Sequence, residues 1–193
     1  MSVTTESTSD STQSTGKTVG IGAVSGLGAA LLGYLVTYLV TSSTIENSAA
    51  SQILEVLGSD LSAWKVVGWV FMNAHGVTTT FPGLFGTTSS ANLIENAQAF
   101  SPVLYVVPVV ALLAAGAVAA VASGASSAKS GAMAGGATVL GYLPVALVGI
   151  ALFAITIGDA TARPDPVTSA LLAGLVYPAV LGVIGGVATA TLR

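Results

Sequence analysis

Few residues of this chain could carry out acid–base, nucleophilic or metal chemistry, and they do not form a known pattern. The chain has no cysteine, which excludes disulfides, thiolate metal sites, iron–sulfur clusters and cysteine nucleophiles. A metal site or a pH sensor would require a second histidine or a close carboxylate beside His75, the single histidine, and the sequence shows neither. We therefore expect His75 at a surface or a membrane interface.

The motifs of catalytic and nucleotide-binding proteins are missing or misplaced. Serine and aspartate accompany the histidine, but no nucleophile elbow or other triad signature frames them. Gly20, Gly22 and Gly26 lie in an apolar stretch, where no strand precedes them as a dinucleotide-binding loop requires. We predict no catalytic, cofactor-binding or metal-binding residues, no cofactor and no enzymatic activity.

Composition indicates a membrane protein rather than a soluble domain. Of the 193 residues only 7% are charged, whereas about a quarter are charged in a soluble domain. The formal net charge is −3, and a nucleic-acid partner would require a basic face. We therefore expect the lipid bilayer as a partner and no nucleic acid.

Four stretches without Asp, Glu, Lys, Arg or His are long enough to cross a bilayer, whose core of about 30 Å needs about 20 apolar helical residues. They are residues 19–40, 102–122, 131–157 and 167–190. The predicted fold class is an all-α integral membrane protein with four transmembrane helices. A cleaved signal peptide, ending at residues 41–43, is the alternative for the first stretch, but the acidic leader and the long apolar core argue against it.

The chain divides into a tail, a membrane domain and one sizeable loop. Residues 1–17 are rich in serine and threonine, and we expect a disordered cytoplasmic tail. Residues 18–193 form the four-helix membrane domain, in which residues 42–101 are a small extracytoplasmic loop subdomain. Helical periodicity predicts a first short helix in this loop over residues 45–57.

The same loop contains a second predicted helix over residues 61–73, with Trp64 and Trp69 on it. The helix is too short to span a membrane, and tryptophan favours the membrane–water boundary. We expect it to lie flat at the outer surface, with a re-entrant segment as the alternative. Beyond it, the β-prone residues 77–81 and the Pro-Gly turn that follows indicate a small hairpin.

Basic residues indicate the orientation of the chain. With the N-terminus in the cytoplasm, Lys17, Lys129 and Arg193 lie inside, whereas Lys65 and Arg163 lie outside. Lys129 lies in a short loop, where basic residues influence topology most. We predict a multi-pass protein of the cell membrane with both termini in the cytoplasm. Six acidic residues then lie outside: Glu46, Glu55, Asp60, Glu95, Asp159 and Asp165.

The first and third apolar stretches resemble each other. Residues 22–35 and residues 131–143 each contain two glycines four apart and then Leu-Gly-Tyr-Leu, with one residue of slippage. The second and fourth stretches match more loosely. A duplication would produce two repeated helical hairpins related by an axis along the membrane normal. Chance similarity between apolar sequences is the alternative.

Small residues and prolines within the stretches indicate how the helices pack. Glycine lets helix backbones approach closely in lipid, either within the chain or in a homo- or hetero-oligomer. Pairs four apart occur at Gly22/Gly26, Gly131/Gly135 and Gly182/Gly186. Pro108, Pro144 and Pro178 each lie near a tyrosine and predict kinks. The alternative is a set of broken helices around a mid-membrane site, lined by Tyr34, Thr37 and Tyr142.

Three segments resemble a group of small haloarchaeal membrane proteins of unassigned function. They are Leu-Gly-Tyr-Leu-Val-Thr-Tyr at residues 32–38, the segment 64–75, and Gly-Tyr-Leu-Pro at residues 141–144. Only the segment 64–75 is distinctive. The resemblance implies a four-span archaeal membrane protein and supplies no activity.

Among functions, we favour a non-enzymatic structural or accessory membrane protein that assembles through its glycine-rich helix faces. A small transporter or channel is the first alternative. Because ion and proton pathways normally use ionisable groups inside the membrane, its substrate would be neutral or apolar. A virion or vesicle membrane component is the second alternative.

Overall fold

The computed structural model describes residues 6–48, 62–83, 87–96, 100–157 and 159–193. Four of its helical segments are long and apolar enough to cross a membrane. We number them spans 1 to 4, and they cover Thr15–Glu46, Pro102–Ser123, Ala128–Leu152 and Pro166–Thr191. The architecture is thus compatible with the multi-pass membrane protein that the apolar stretches predict.

Span 1 belongs to a longer helix, α1 (Glu6–Glu46). The structure therefore continues the helix through residues 6–17, where we expected a disordered tail. Extending an existing helix avoids the cost of nucleation, which lets a Ser/Thr-rich segment continue it. Because α1 ends at Glu46, the helix expected over residues 45–57 does not begin as predicted, and its residues 49–57 lie outside the described residues.

The remaining spans are each built from shorter elements. Span 2 begins with a 3-10 turn at Pro102–Tyr105 and continues as α4 (Val106–Ser123). Span 3 comprises α5 (Ala128–Gly136) and α6 (Val139–Leu152). Span 4 comprises α7 (Pro166–Thr168), a π-helical segment Ser169–Val176, and α8 (Tyr177–Thr191). Among the described residues between spans 1 and 2 there are two short helices, α2 (Ala63–Asn73) and α3 (Leu93–Asn96).

The structure is mostly helical, as the predicted all-α class requires, but it also contains a small four-stranded antiparallel sheet that this class does not include. Its strands are β1 (Thr79–Pro82), β2 (Thr88–Ala91), β3 (Ile155–Ile157) and β4 (Ala160–Pro164), in the order β2-β1-β4-β3. The β1–β2 pair confirms the predicted hairpin. The residues of β3 were expected inside the third transmembrane helix, but that helix ends at Leu152, because Ile155–Ile157 pairs with β4.

The spans form a ring in which span 1 packs on spans 2 and 3, and span 4 packs on the same two spans. Glycines lie where the backbones approach most closely. A methyl group added to Gly26 would collide with the carbonyl oxygen of Thr138 in span 3. Gly116 and Gly135 would likewise meet the backbone of Gly182 in span 4. These contacts occur within one chain, where glycine permits close van der Waals packing.

The two ends of the bundle differ. At one end, which we call the terminal end, Ala120, Ala125 and Ala190 form a small buried cluster beside the start of span 3. At the other, the sheet end, β3 and β4 connect spans 3 and 4. Helix α1 therefore begins at the terminal end, and Thr191 brings the last span back to it.

Helix α2 enters the bundle from the sheet end, and the chain turns at residues 74–76 and returns as β1. We call α2, this turn and β1 together the re-entrant hairpin. Gly76 makes the turn possible, since its φ of 76° lies in the left-handed region that favours glycine. From Val67 to Asn73 every residue of α2 is buried. The expectation of a helix lying flat at the surface is therefore wrong, and the re-entrant alternative fits.

The hairpin reaches the middle of the spans. Phe71 packs in one cluster with Leu112 and Tyr142, which lie about halfway along spans 2 and 3. On another side of α2, Met72 packs with Ala146 and Ala173 of spans 3 and 4. The hairpin therefore fills the centre of the ring, and its backbone at that depth is enclosed by protein, as non-spanning backbone in a membrane protein must be unless it lines a cavity.

The buried His75 site

His75 lies at the tip of the re-entrant hairpin and is fully buried, so the expected surface or interfacial position is wrong. Its Nδ1 is 2.8 Å from the carbonyl oxygen of Phe71, and its Nε2 is 2.7 Å from the hydroxyl oxygen of Tyr142. A carbonyl oxygen can only accept, so Nδ1 carries the proton. In the neutral imidazole Nε2 is then the acceptor, and the Tyr142 hydroxyl donates to it.

The rings of Phe71 and Tyr177 pack against His75 beside this hydrogen-bonded pair, and Tyr34 packs against Phe71. The ring of Tyr177, at the start of α8, lies 5.1 Å from the His75 ring, centroid to centroid. The Phe71 ring meets His75 edge-on at 5.0 Å. Tyr34 approaches Phe71 at 6.1 Å, and Tyr142 approaches it at 6.5 Å. The tyrosines of the two Leu-Gly-Tyr-Leu motifs thus contact the same residue of α2.

Asn73 fixes the turn that presents His75. Its amide nitrogen donates to the carbonyl of Val77 at 2.8 Å and to the hydroxyl of Thr79 at 3.2 Å. Its amide oxygen accepts from the backbone N–H of Leu93 at 2.8 Å. Both functional groups of the amide are therefore satisfied although the residue is fully buried, which avoids the penalty for burying an unpaired polar group.

Hydrogen bonds of the two tryptophans connect the outer part of α2 to span 1 and to Phe153, which follows span 3. The indole N–H of Trp69 donates to the carbonyl of Phe153 at 2.6 Å, and the ring is buried. Trp64 stays partly exposed, and its own carbonyl accepts from the Tyr34 hydroxyl at 2.9 Å. The expected position at the membrane–water boundary is therefore wrong for Trp69, which lies against Phe81 inside the protein.

The structure separates the residues that we expected to line a mid-membrane site. Tyr142 reaches His75, whereas Tyr34 lies on the other side of Phe71. Thr37 is buried but donates to the carbonyl of Gly33 in its own helix at 2.8 Å. Thr138 instead links two spans, because its hydroxyl donates to the carbonyl of Pro178 at 3.1 Å.

The predicted kinks differ among the prolines. Pro144 lies inside the continuous helix α6. Pro178 is the second residue of α8, two residues after the end of the π-helical segment at Val176. Proline removes one helical hydrogen bond, and π-helical turns often occur at functional sites.

Within the described part of the chain, Ser169 at the start of the π-helical segment has a buried hydroxyl without a hydrogen-bond partner.

The hydrogen bonds of His75 fit a structural role, in which the histidine holds the hairpin against span 3, better than a catalytic or metal-binding role. Both nitrogens of His75 are used, so a metal ligand would have to break a bond to Phe71 or Tyr142. The described residues contain no group of three or more His, Cys, Asp or Glu that could hold a metal ion. What the geometry does provide is a polar link between the re-entrant hairpin and span 3.

Sequence reasoning missed this site because its partners are distant in the chain. Tyr142 lies 67 residues after His75, and no local pattern connects them. The available signal was the apolar run on either side of Asn73 and His75, which is more typical of buried backbone than of a surface loop.

A family model described as a family of unknown function (DUF7978) matches residues 1–193. Comparison with curated proteins and with solved structures gives no match.

Proposed function

The chain belongs to this family of unknown function (DUF7978), and we propose that it is a non-enzymatic integral membrane protein with a structural or accessory role. The observation that carries the proposal is the re-entrant hairpin, which fills the centre of the four spans and is fastened there by the bond between His75 and Tyr142. A bundle closed in this way is suited to hold a fixed shape in the membrane.

The polar groups at the hairpin tip support a structural role. An intramembrane ionisable residue normally suggests a transport or proton pathway. Here Phe71 and Tyr142 occupy both nitrogens of the histidine, and Val77, Thr79 and Leu93 satisfy the amide of Asn73. Groups whose hydrogen bonds are already made to protein are poorly placed to exchange them with a passing solute.

We propose the topology that the basic residues predict, with both termini in the cytoplasm and the sheet outside. Lys17 and Lys129 lie at the terminal end of the bundle, together with Arg193. The sheet end holds Arg163 along with Glu95 and Asp159. An acidic outer surface is in keeping with the haloarchaeal source that the sequence resemblance implies.

Assembly with other chains through the predicted glycine pairs is a weaker proposal, because these glycines already contact other parts of the same chain. A side chain added at Gly22, Gly26, Gly131, Gly135, Gly182 or Gly186 would collide with atoms of the same chain. These glycines are already used to bring the four spans together. We therefore propose that the accessory role depends on the packed four-span bundle and on the exposed strand β2 rather than on these glycines.

Flux measurements on the purified protein in liposomes test the proposal. Stopped-flow light scattering would follow small neutral solutes, and an entrapped pH dye would follow protons. We expect rates equal to those of protein-free liposomes. A flux that exceeds this background and changes in His75→Ala would contradict the structural role.

A small transporter for a neutral or apolar substrate is the second candidate, and one observation favours it. The re-entrant hairpin lies beside the π-helical segment Ser169–Val176, with Gly76 next to Leu172. Helix irregularities of this kind permit movement in transporters. A solute flux that changes in Leu172→Ala, which removes the side chain of span 4 beside Gly76, would favour transport.

A further inference from the structure

Three basic residues from three different spans lie at the terminal end of the bundle. Lys17 belongs to α1, Lys129 lies in the first turn of α5, and Arg193 lies two residues after α8. All three are exposed, and within the described part of the chain none of their side chains makes an ion pair or a hydrogen bond. Their charges are therefore available to a partner outside the chain.

Lys17 and Lys129 lie at the same level of the bundle. A methyl group added to Gly22 of span 1 would collide with the carbonyl oxygen of Ala134 in span 3, so these two residues are in contact. Both spans run from the terminal end to the sheet end, and each lysine precedes its contact residue by five positions. A rise of about 1.5 Å per residue places both lysines about 7.5 Å nearer the terminal end than this contact. Because the axes of packed helices are about 8–10 Å apart, the two ammonium groups can reach the same headgroup.

Arg193 joins the two lysines at this level. A methyl group added to Gly131 of span 3 would collide with the Cβ of Ala190 in span 4. Lys129 precedes Gly131 by two residues, and Arg193 follows Ala190 by three residues in a span that runs the opposite way. All three basic residues therefore lie just beyond the same contact between spans. We call Lys17, Lys129 and Arg193 the basic group.

The basic group lies where the hydrocarbon core of the membrane ends. The uncharged stretches of spans 1, 3 and 4 reach residues 19, 131 and 190 at this end. Each basic residue is two or three positions outside the nearest of these stretches. A core of about 30 Å is filled by the uncharged residues, so the basic side chains lie at the level of the lipid headgroups.

The described residues place no Asp or Glu beside the basic group. The nearest acidic position on α1 is Asp10, seven residues before Lys17 and about 10 Å farther from the membrane core. The Debye length is about 8 Å at physiological ionic strength, so a charge at that distance is largely screened. The other acidic residues that the structure describes lie towards the sheet end: Glu46, Glu95, Asp159 and Asp165.

This distribution of charge favours one class of headgroup. A zwitterionic headgroup carries an ammonium as well as a phosphate, and the described residues at this level offer its ammonium no carboxylate. A headgroup with a net negative charge needs only the cations that are present. Lysine and arginine form strong, charge-assisted hydrogen bonds with phosphate oxygens.

We propose that the basic group binds the phosphate of an anionic phospholipid in the leaflet that surrounds the terminal end. The binding is between side chains of three spans and a lipid headgroup, so it is separate from the His75 site. It depends neither on the proposed structural role nor on which side of the membrane the terminal end faces.

Native mass spectrometry of the full chain in detergent tests the proposal. The probes are phosphatidylglycerol, which is anionic, and phosphatidylcholine with the same acyl chains, which is zwitterionic. We expect phosphatidylglycerol to bind at least about tenfold more tightly, because each basic residue near an anionic lipid surface contributes about fivefold. Lys17→Gln and Lys129→Gln should each weaken this binding about fivefold, and the double variant should weaken it about 25-fold.

Arg163→Gln is the matched control, because Arg163 is exposed on β4 at the sheet end and its replacement changes the net charge by the same amount. It should leave the affinity for phosphatidylglycerol unchanged, and Lys129→Arg, which keeps the charge, should retain binding. Circular dichroism melting checks that all variants fold. Equal affinities for the two lipids, or the same loss in Arg163→Gln as in Lys129→Gln, would overturn the proposal.

Discussion

The hydroxyl of Tyr142 donates to Nε2 of His75 at 2.7 Å, and this bond joins the tip of the re-entrant hairpin to the middle of span 3. It is a link between two buried side chains that the sequence places 67 residues apart. Its removal therefore tests both the depth of the hairpin and the closure of the bundle.

Tyr142→Phe should lower the free energy of unfolding by about 1–3 kcal/mol, because it leaves Nε2 of His75 buried without a donor. Thermal unfolding in detergent would measure the change. Tyr38→Phe is the control, since Tyr38 lies on span 1 with part of its ring exposed, and should have little effect. In a double-mutant cycle, His75→Ala and Tyr142→Phe should be non-additive; additive effects would contradict the bond.

Native tryptophan fluorescence should distinguish the two indoles of α2. Trp69 is buried against Phe81 and Phe153, whereas Trp64 is partly exposed. In liposomes with brominated lipids, emission from Trp69 in the Trp64→Phe variant should be quenched weakly at every bromine depth. Emission from Trp64 in the Trp69→Phe variant should be quenched more. Strong quenching of Trp69 would place α2 at the lipid surface, as the sequence predicts.

Gly26→Ala and Gly28→Ala should affect stability in opposite ways although the two glycines are two residues apart. The first places a methyl group against the carbonyl of Thr138, and overpacking of this kind costs about 1–3 kcal/mol. The second meets open space, and alanine is favoured over glycine in a helix by up to about 1 kcal/mol. Equal melting temperatures in detergent would contradict the contact between spans 1 and 3.

Asp165 should make the start of span 4 sensitive to acid. It accepts from the backbone N–H and from the hydroxyl of Thr168, both at 2.8 Å. The backbone hydrogen bond is the main reason that the pKa of its carboxyl group lies below the usual 3.8. A lowered folded-state pKa means that this stabilisation is present above the unfolded-state pKa and is lost as the pH falls through the folded-state value.

Asp165→Ala should therefore cost about 0.5–2 kcal/mol at neutral pH, the usual effect of removing a helix cap. Its melting temperature should approach that of the parent protein only at pH values below the usual carboxyl pKa of 3.8. Asp159→Ala is the control, because Asp159 is an exposed residue of the β3–β4 connection. A deficit that does not depend on pH would show that the carboxylate charge is unimportant.

Cysteine accessibility should establish the orientation, and the chain is suited to it because it has no native cysteine. With both termini in the cytoplasm, Ser9→Cys should resist a membrane-impermeant thiol reagent in intact cells. Thr88→Cys lies on the exposed strand β2 and should react. After lysis both should react, which shows that each introduced cysteine can be labelled once the reagent reaches both sides of the membrane. The reverse pattern in intact cells would invert the topology.

The sequence by itself determined the elements whose causes are local. Long uncharged stretches predict four spans because each must satisfy its backbone internally and expose apolar side chains to lipid. The hairpin of β1 and β2 follows from the β-prone residues of the first strand, although Pro82, which we expected in the turn, is the last residue of β1 and pairs with Thr88. Glycines four apart indicate places where backbones can approach, although they do not show which backbone approaches.

Only the tertiary structure decided the position of α2 and of His75. A short helix with two tryptophans fits a membrane surface as well as a protein interior, because both offer an apolar environment. Contacts with Phe153, Tyr142 and Tyr177 determine the buried position, and these residues come from other parts of the chain. The pairing of β1 with β4 is likewise non-local. Burial inside the ring removes the hairpin from lipid. Its polar side chains are satisfied within the hairpin itself and by Leu93, Tyr142 and Phe153, and these non-local partners are in place only in the assembled bundle.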